Sequence, residues 1–337
     1  MTKSKIALDV MGGDLAPDAI LAGALLAITE DREQRVEAER ILLVGDQTRI
    51  EAYLEEHGGN PGFSIQGASE VIEMGESPAQ ALRAKPDSSI MVSIGAVRSG
   101  AAGAVVSMGN TGACVGAATL GLGTLEGVRR PGIAVTLELT GHPLTLVDMG
   151  ANIAPKPQHL LQYGVMGTVY MRDCLGVEQP RIGLLNVGEE KGKGTQLLKE
   201  TYPLLDDAPV EFVGNVEGGD LFAGACDVVV MDGFTGNVVL KLLENFAAFL
   251  LGLVVGELKS NKVDWGKDSL SHVKRAIDYS TYGGALLLGV GGVVVIGHGR
   301  SDAKAVANAL SLAARAMDTK VNDHIEQGMR DLAGSPS

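Results

Sequence analysis

Short apolar runs rich in Val, Ile and Leu recur along the chain, alternating with longer stretches whose apolar residues fall at helical spacing. Continuous apolar runs mark strands buried on both faces, so the pattern predicts an α/β fold with a mostly parallel sheet covered by helices. Strands are expected at Ile6 to Val10, Ile41 to Val44, Ala104 to Val106, Leu144 to Val147, Ile182 to Val187 and Val228 to Met231. Ala285 to Val290 and Val293 to Ile296, separated by Gly291 and Gly292, read as a hairpin. Helices are expected near Asp18 to Ile28, Ser88 to Arg98, Thr111 to Leu120, Pro157 to Asp173, Asn237 to Leu258 and Asp302 to Val321.

The turns at the strand ends are more informative than the strands themselves. Val10 leads into MGGD, Val106 into SMGNTG, Val147 into DMGAN, Leu185 into NVGEE and Val230 into MDGFTGN. Parallel α/β sheets bind ligands beyond the carboxyl ends of their strands, where helix N-termini present free backbone N–H groups. Five such ends point to a small anionic ligand, although any one alone reads equally as a strand-to-helix turn with Asn or Thr as a cap.

Composition narrows the classes. With 28 Lys and Arg against 41 Asp and Glu, the net charge of -13 argues against general affinity for nucleic acid or anionic lipid, so an acidic partner needs a local basic patch. Cys114, Cys174 and Cys226 are odd in number and far apart, which indicates neither a disulfide framework nor a zinc site. A reducing cytoplasm fits, and MTKSKIALDV shows no secretory pattern. In LLENFAAFLLGLVVGEL the uninterrupted apolar part is Phe246 to Val255, short of the roughly 20 residues a bilayer span needs. Buried packing is the favoured expectation for this helix, with a dimer contact or a dip into a membrane surface as alternatives.

Familiar catalytic signatures are missing. GEEKGKGT from Gly188 does not fit a P-loop, GLGTLEG from Gly121 misses GxGxxG, and there is no GxSxG or HExxH. The six histidines are scattered, with His57 expected on a solvated helix end and His159 and His272 at the surface or in packing. A site without an evident acid or base suits phosphate attack on a thioester. A phosphate whose second pKa is near 6 is largely dianionic at neutral pH, and a thiol of pKa about 8.5 can leave as thiolate. The protein then has to position the reactants and stabilise the oxyanion.

IALDVMGGDLAP from Ile6, SMGNTGA from Ser107, RRPGIA from Arg129, LVDMGAN with KPQHL from Leu146, GLLNVGEEKGKG from Gly183, VVMDGFTGNVVLK ending at Lys241, YGGALLLG from Tyr282 and GHGRSDAKA from Gly297 lie in colinear order. Together they resemble the bacterial phosphate acyltransferases of the PlsX type over nearly the whole chain. The resemblance implies a three-layer α/β/α sandwich related to isopropylmalate-dehydrogenase-like and phosphotransacetylase-like enzymes. It also implies a single domain over residues 1-337, with an apolar dimer or membrane segment near 236-280. The implied reaction converts acyl-[acyl carrier protein] and inorganic phosphate to acyl phosphate and free carrier protein, at the start of phospholipid synthesis. No metal or cofactor is implied.

Carried over by position, the resemblance assigns catalysis to Lys193, Asn110 and Asn186, and substrate binding to Asp9, Gly12, Gly13, Asp14, Thr111, Gly112, Asn152, Lys156, Glu189, Asp232, Thr235 and Asn237. Asp14 would repel phosphate, so it is expected to orient a Lys or Arg, or to serve as a turn acid. Lys191 is expected to be a solvated charge. Leu15 stands where many relatives have His, and Arg300 where some have Ser, so a proton role for the first of these is not expected. Acyl carrier proteins are acidic, which makes Arg129 and Arg130, with Lys274 and Arg275, candidates for docking. A homodimer, a peripheral position on the inner face of the plasma membrane and a downstream glycerol-3-phosphate acyltransferase complete the implied partners. The alternatives are a short-chain phosphotransacylase using acyl-coenzyme A, a metal-dependent hydroxyacid dehydrogenase and a membrane-surface scaffold.

Overall fold

A computed structural model describes residues 4–29, 34–138, 141–260 and 283–334. The chain forms two compact units, Met1–Pro131 with Arg172–Gly176 and Ser280–Gly334, and Gly132–Met171 with Val177–Tyr279 and Ser335–Ser337.

The first unit carries strands β1 (Ile6–Asp9), β2 (Ile41–Gly45), β3 (Ser64–Gly67), β4 (Ala104–Ser107), β10 (Ala285–Leu288) and β11 (Val293–Ile296) in the order β3-β2-β1-β4-β11-β10. Neighbours run parallel except β10 against β11, the hairpin that the glycine pair announces. Helix α1 (Asp18–Ala27) leads from β1 to β2, and α2 (Gln47–Glu56) leads from β2 to β3. The return across β1 to β4 uses α3 (Pro78–Ala84) and α4 (Ser89–Arg98), with α5 (Thr111–Leu122) after β4. Because such crossovers are right-handed, the two directions of travel place α1 and α4 on opposite faces, and β1 and β4 are buried throughout.

The second unit holds β5 (Gly132–Leu137), β6 (Leu144–Val147), β7 (Arg181–Leu185), β8 (Glu211–Val216) and β9 (Val228–Val230) in the order β5-β6-β9-β7-β8, parallel apart from β5 against β6. Its helices are α6 (Pro157–Leu175), whose last turn belongs to the first unit, α7 (Gln196–Asp206), the short α8 (Asp220–Ala223) and α9 (Gly233–Ser260). Helix α6 approaches the sheet closely through Gly164 and Gly167, and a Cβ on Gly167 would lie 2.7 Å from Val228.

The helix foreseen over Asp302 to Val321 is α10 (Ala303–Asp318), and a further helix, α11 (Val321–Gly334), follows it after Lys320, which takes φ 55°. One expectation changes. The apolar helix is not buried: in the 28 residues of α9 only Gly233 and Gly236 are, while Phe246, Phe249 and Leu253 are each more than half exposed. By length and composition α9 is also long enough to cross a membrane, a criterion that the run from Phe246 to Val255 understated because it stopped at the first polar residue.

Candidate functional site

In the first unit the chain leaves β1 and β4 in opposite directions, the arrangement that opens a crevice at their carboxyl ends. Asp9 closes β1 and is buried. Its carboxylate accepts from Ser107 Oγ at the end of β4 at 2.6 Å, from the Met11 N–H at 3.2 Å, and from Ser89 and the Gly12 N–H. Burial raises the pKa of Asp9, against the lowering effect of those donors. A Cβ on Gly12 would sit 2.6 Å from Asp9 Oδ2 and 2.9 Å from the Gly109 nitrogen, so the two turns meet at backbone contact, which requires glycine. The two turns line a small pocket together with Asp9, Ser89, Ser107, Asn110 and Cys114, with room for about one water.

Asn110 caps α5, accepting from the Ala113 N–H at 3.1 Å, and its Nδ2 donates to the Met74 and Glu76 carbonyls at 3.0 and 3.1 Å. Both ends of its amide therefore serve structure. Thr111 and Gly112 are exposed at the start of α5, and Gly13 adopts φ 107° against Met108 and Gly299. Asp14 is exposed, its N–H donating to the Gly299 carbonyl at 2.7 Å. Among the described residues no Lys or Arg pairs with its carboxylate, so the expected orientation of a cation is not found. The GHGRSD segment forms the turn before α10, with Asp302 as its cap at 2.9 Å from the Ala305 N–H.

In the second unit the turns after β6 and β9 are built around Asp148, whose side chain is fully buried. Its Oδ1 accepts the N–H groups of Ile133 (3.0 Å), Gly150 (3.1 Å) and Ala151 (2.9 Å), and Oδ2 accepts that of Asn152 (2.7 Å). Desolvation raises the Asp148 pKa, and the four backbone donors oppose the rise. Asn152 Nδ2 donates to Tyr163 Oη at 2.7 Å, and the Asn152 carbonyl accepts the Gly233 N–H at 2.9 Å, joining the two turns. Asp232 accepts from the Thr235 N–H and hydroxyl at 2.9 and 2.7 Å, capping α9, while the exposed Asn237 faces Gly150. Lys156 is exposed before α6, with its N–H on His159 Nδ1.

The loop after β7 is organised differently. Asn186 is buried, accepts the Val187 N–H at 2.8 Å and donates to the Lys193 carbonyl at 3.2 Å. From the end of β8, Asn215 donates to the Glu190 carbonyl at 2.9 Å, while its buried Oδ1 has no partner among the described residues. These two amides pin a loop on which Glu189 and Lys193 stand exposed, the Lys193 ammonium 3.7 Å from Glu190. Lys191, expected to be merely solvated, pairs with Asp206 at 3.1 Å and lies over the Tyr202 ring.

The assigned residues thus fall into three clusters: Asp9 to Asp14 with Asn110 to Gly112, Asn152 with Asp232 to Asn237, and Asn186 with Glu189 and Lys193. Lys156 stands apart. Sequence reasoning passed over Asp148, Ser107, Ser89 and Asn215. A shared signal was present for the first, since LDVMGG and VDMGAN both place Asp at a strand end just before a Met- and Gly-bearing turn. The thiols are buried and pushed up, to about 12 for Cys114 and Cys226 and about 11 for Cys174, which leaves them protonated and poor nucleophiles. No group of three or more His, Cys, Asp or Glu among the described residues is placed to hold a metal. Arg129 and Arg130 are exposed; Lys274, Arg275 and His272 lie outside the described residues.

Residues 4–324 match the family model described as fatty acid synthesis protein. The chain is 44% identical over 97% of its length to a phosphate acyltransferase of Dictyoglomus turgidum, covering 98% of that protein. It is 46% identical to one of Heliobacterium modesticaldum, over 92% of each chain. A phosphotransacetylase from Streptococcus pyogenes shares the fold, with TM-score 0.61, 17% identity and 94% coverage of both chains. Identity of this extent over nearly the full length, with the α/β architecture shared, places the chain in the phosphate acyltransferase family.

Proposed function

We propose that this protein transfers an acyl group from acyl-[acyl carrier protein] to inorganic phosphate, releasing acyl phosphate and the free carrier protein, at the start of phospholipid synthesis. The observation that carries this reading is the near end-to-end similarity to proteins named phosphate acyltransferase. A phosphate oxygen attacks the thioester carbonyl carbon and forms the new C–O bond. The tetrahedral oxyanion collapses, the C–S bond breaks and the thiolate takes a proton from solvent. Neither nucleophile nor leaving group needs a strong base or acid. The exposed ammonium of Lys193, on a loop pinned by Asn186 and Asn215, supports a role for it in compensating phosphate or oxyanion charge. Asn237, on α9 of the same unit, is a further exposed donor.

The working form in this reading is a cytoplasmic homodimer lying peripherally on the inner face of the plasma membrane and passing acyl phosphate to a glycerol-3-phosphate acyltransferase. The exposed apolar α9 supports membrane contact. Arg129 and Arg130 are the described candidates for meeting an acidic carrier protein, offsetting repulsion from a chain of net charge -13.

Supplying acyl carrier protein thioester, acyl-coenzyme A and phosphate in separate assays tests the reaction. Acyl phosphate is expected from the carrier-protein donor; formation from acyl-coenzyme A alone would favour a short-chain phosphotransacylase, and no product from any donor would favour a scaffold. Phe249→Glu with Leu253→Glu is expected to abolish liposome binding while changing stability by less than about 0.5 kcal/mol, because both side chains are exposed. Global unfolding of that variant would argue that α9 is covered by another chain.

A further inference from the structure

A strand-end turn rich in glycine invites the assumption that its backbone amides bind the substrate anion. In the turn after β6 that role is already filled from within. Asp148 sits at the end of the strand with no exposure and accepts the N–H groups of Gly150, Ala151 and Asn152, besides that of Ile133 on β5. Its surroundings admit no larger neighbour: a Cβ on Gly233 would lie 2.8 Å from Asp148 Oδ2, and one on Gly236 would collide with the Asp148 carbonyl oxygen.

We propose that Asp148 is a positioning residue for the acyl transfer, its carboxylate acting as a built-in anion that fixes Asn152 and the first turn of α9 and leaves substrate phosphate to side-chain donors. The two oxygens divide the task. Oδ1 organises the turn itself, while Oδ2 holds Asn152, whose carbonyl receives the Gly233 N–H and whose amide reaches Tyr163. Through Asn152 one carboxylate therefore governs the geometry at the ends of two adjacent strands, β6 and β9. Asn237, just beyond the Asp232 and Thr235 cap, is set against Gly150 by the same arrangement.

This inference rests on the acyl-transfer reading, and the two can fail separately. If the wild-type protein makes no acyl phosphate from any donor, that reading fails first; if it does, substitutions at Asp148 and Asn152 test the positioning role. Asp148→Asn retains one oxygen for the Oδ1 contacts and turns an NH2 group toward the Asn152 N–H. It is expected to fold, to lower kcat at least tenfold and to change KM for phosphate less than threefold. Asn152→Ala keeps the N–H held by Asp148 and the carbonyl that receives the Gly233 N–H and removes the amide that reaches Tyr163, so it should lower kcat in the same direction but less than Asp148→Asn. Formate should restore part of the turnover of Asp148→Ala by occupying the emptied carboxylate position. Wild-type kcat in a folded Asp148→Asn variant would overturn the proposal; if the Asp148 variants do not fold, wild-type kinetics in both Asn152→Ala and Asn237→Ala, which remove side chains that the carboxylate is argued to set in place, would overturn it. So would a tenfold change in KM for phosphate at constant kcat in Asp148→Asn, because that would mean the turn amides bind phosphate directly.

Discussion

The turn after β6 and the loop after β7 leave the same sheet from strands on either side of β9, yet they are held by opposite means. The first is wired to a buried carboxylate through three of its own backbone N–H groups, with a fourth from Ile133 on β5, so those donors are consumed. The second is tied from below by the amides of Asn186 and Asn215, and its charged side chains remain in solvent. Glycine content alone does not distinguish a turn that binds an anion from one that already contains it. The difference makes the first turn the rigid one and leaves the charged side chains of the second in solvent, where the proposed function has Lys193 meet the substrate.

The largest effect is expected where the rigid turn has no room. Gly236→Val would drive a side chain onto the Asp148 carbonyl oxygen, a backbone atom that no rotamer change can move. A loss of about 3 kcal/mol in urea unfolding is expected. A mild effect would mean that the turn is soft and would dissolve the contrast with the β7 loop. Lys193→Ala addresses the other member of the pair. Its turnover at saturating phosphate should fall about a hundredfold, as for loss of one oxyanion donor, while the unfolding midpoint hardly moves because the side chain is half exposed. Unaltered turnover would remove the β7 loop from the site.

Asn110 extends the comparison to the first unit, where its amide is committed at both ends. Asn110→Ala should cost about 1 kcal/mol as a lost helix cap. Asn110→Asp keeps the capping oxygen and loses the Nδ2 donors to Met74 and Glu76, so a turnover loss shared by both variants would place the function in those donors. The smallest effect concerns Asp9, the first unit's counterpart of Asp148. Burial raises its pKa above the ordinary 3.8, so the folded protein holds that proton to higher pH than the unfolded chain. The stabilising contribution of the protonated acid is complete below 3.8 and is lost as pH rises through the raised value. Asp9→Asn, neutral throughout, should therefore improve relative to wild type in thermal unfolding as pH rises from about 3.5 to about 7. An opposite trend would show that the hydroxyl and amide donors outweigh desolvation.

Strands buried on both faces were legible because they read as unbroken apolar runs: β6 falls at Leu144 to Val147 as expected, and the Ala285 and Val293 runs form the antiparallel hairpin. The peripheral β3 and β8 were missed, since Ser64–Gly67 and Glu211–Val216 carry exposed polar positions that dilute the pattern. Gly132–Leu137 was missed despite complete burial, its short run standing directly after RRP. The amphipathic α2 and α7 also escaped, as their few buried residues, Ile50 with Leu54 and Thr201 with Leu205, are spaced among charges.

The sequence by itself determined the α/β class, the positions of most buried strands, the glycine-bearing turns at their ends and the family, because these are written in local periodicity and in colinear motifs. Tertiary structure alone decided what each turn does with its amides. Asp9 meets Ser107 across 98 residues, and Asn215 reaches Glu190 from the neighbouring strand β8. It also decided that α9 is exposed, since an apolar helix has the same sequence pattern whether it is buried or bare. A hydrogen-bond partner or a covering surface is a property of which strands lie side by side, and that is set by sheet order.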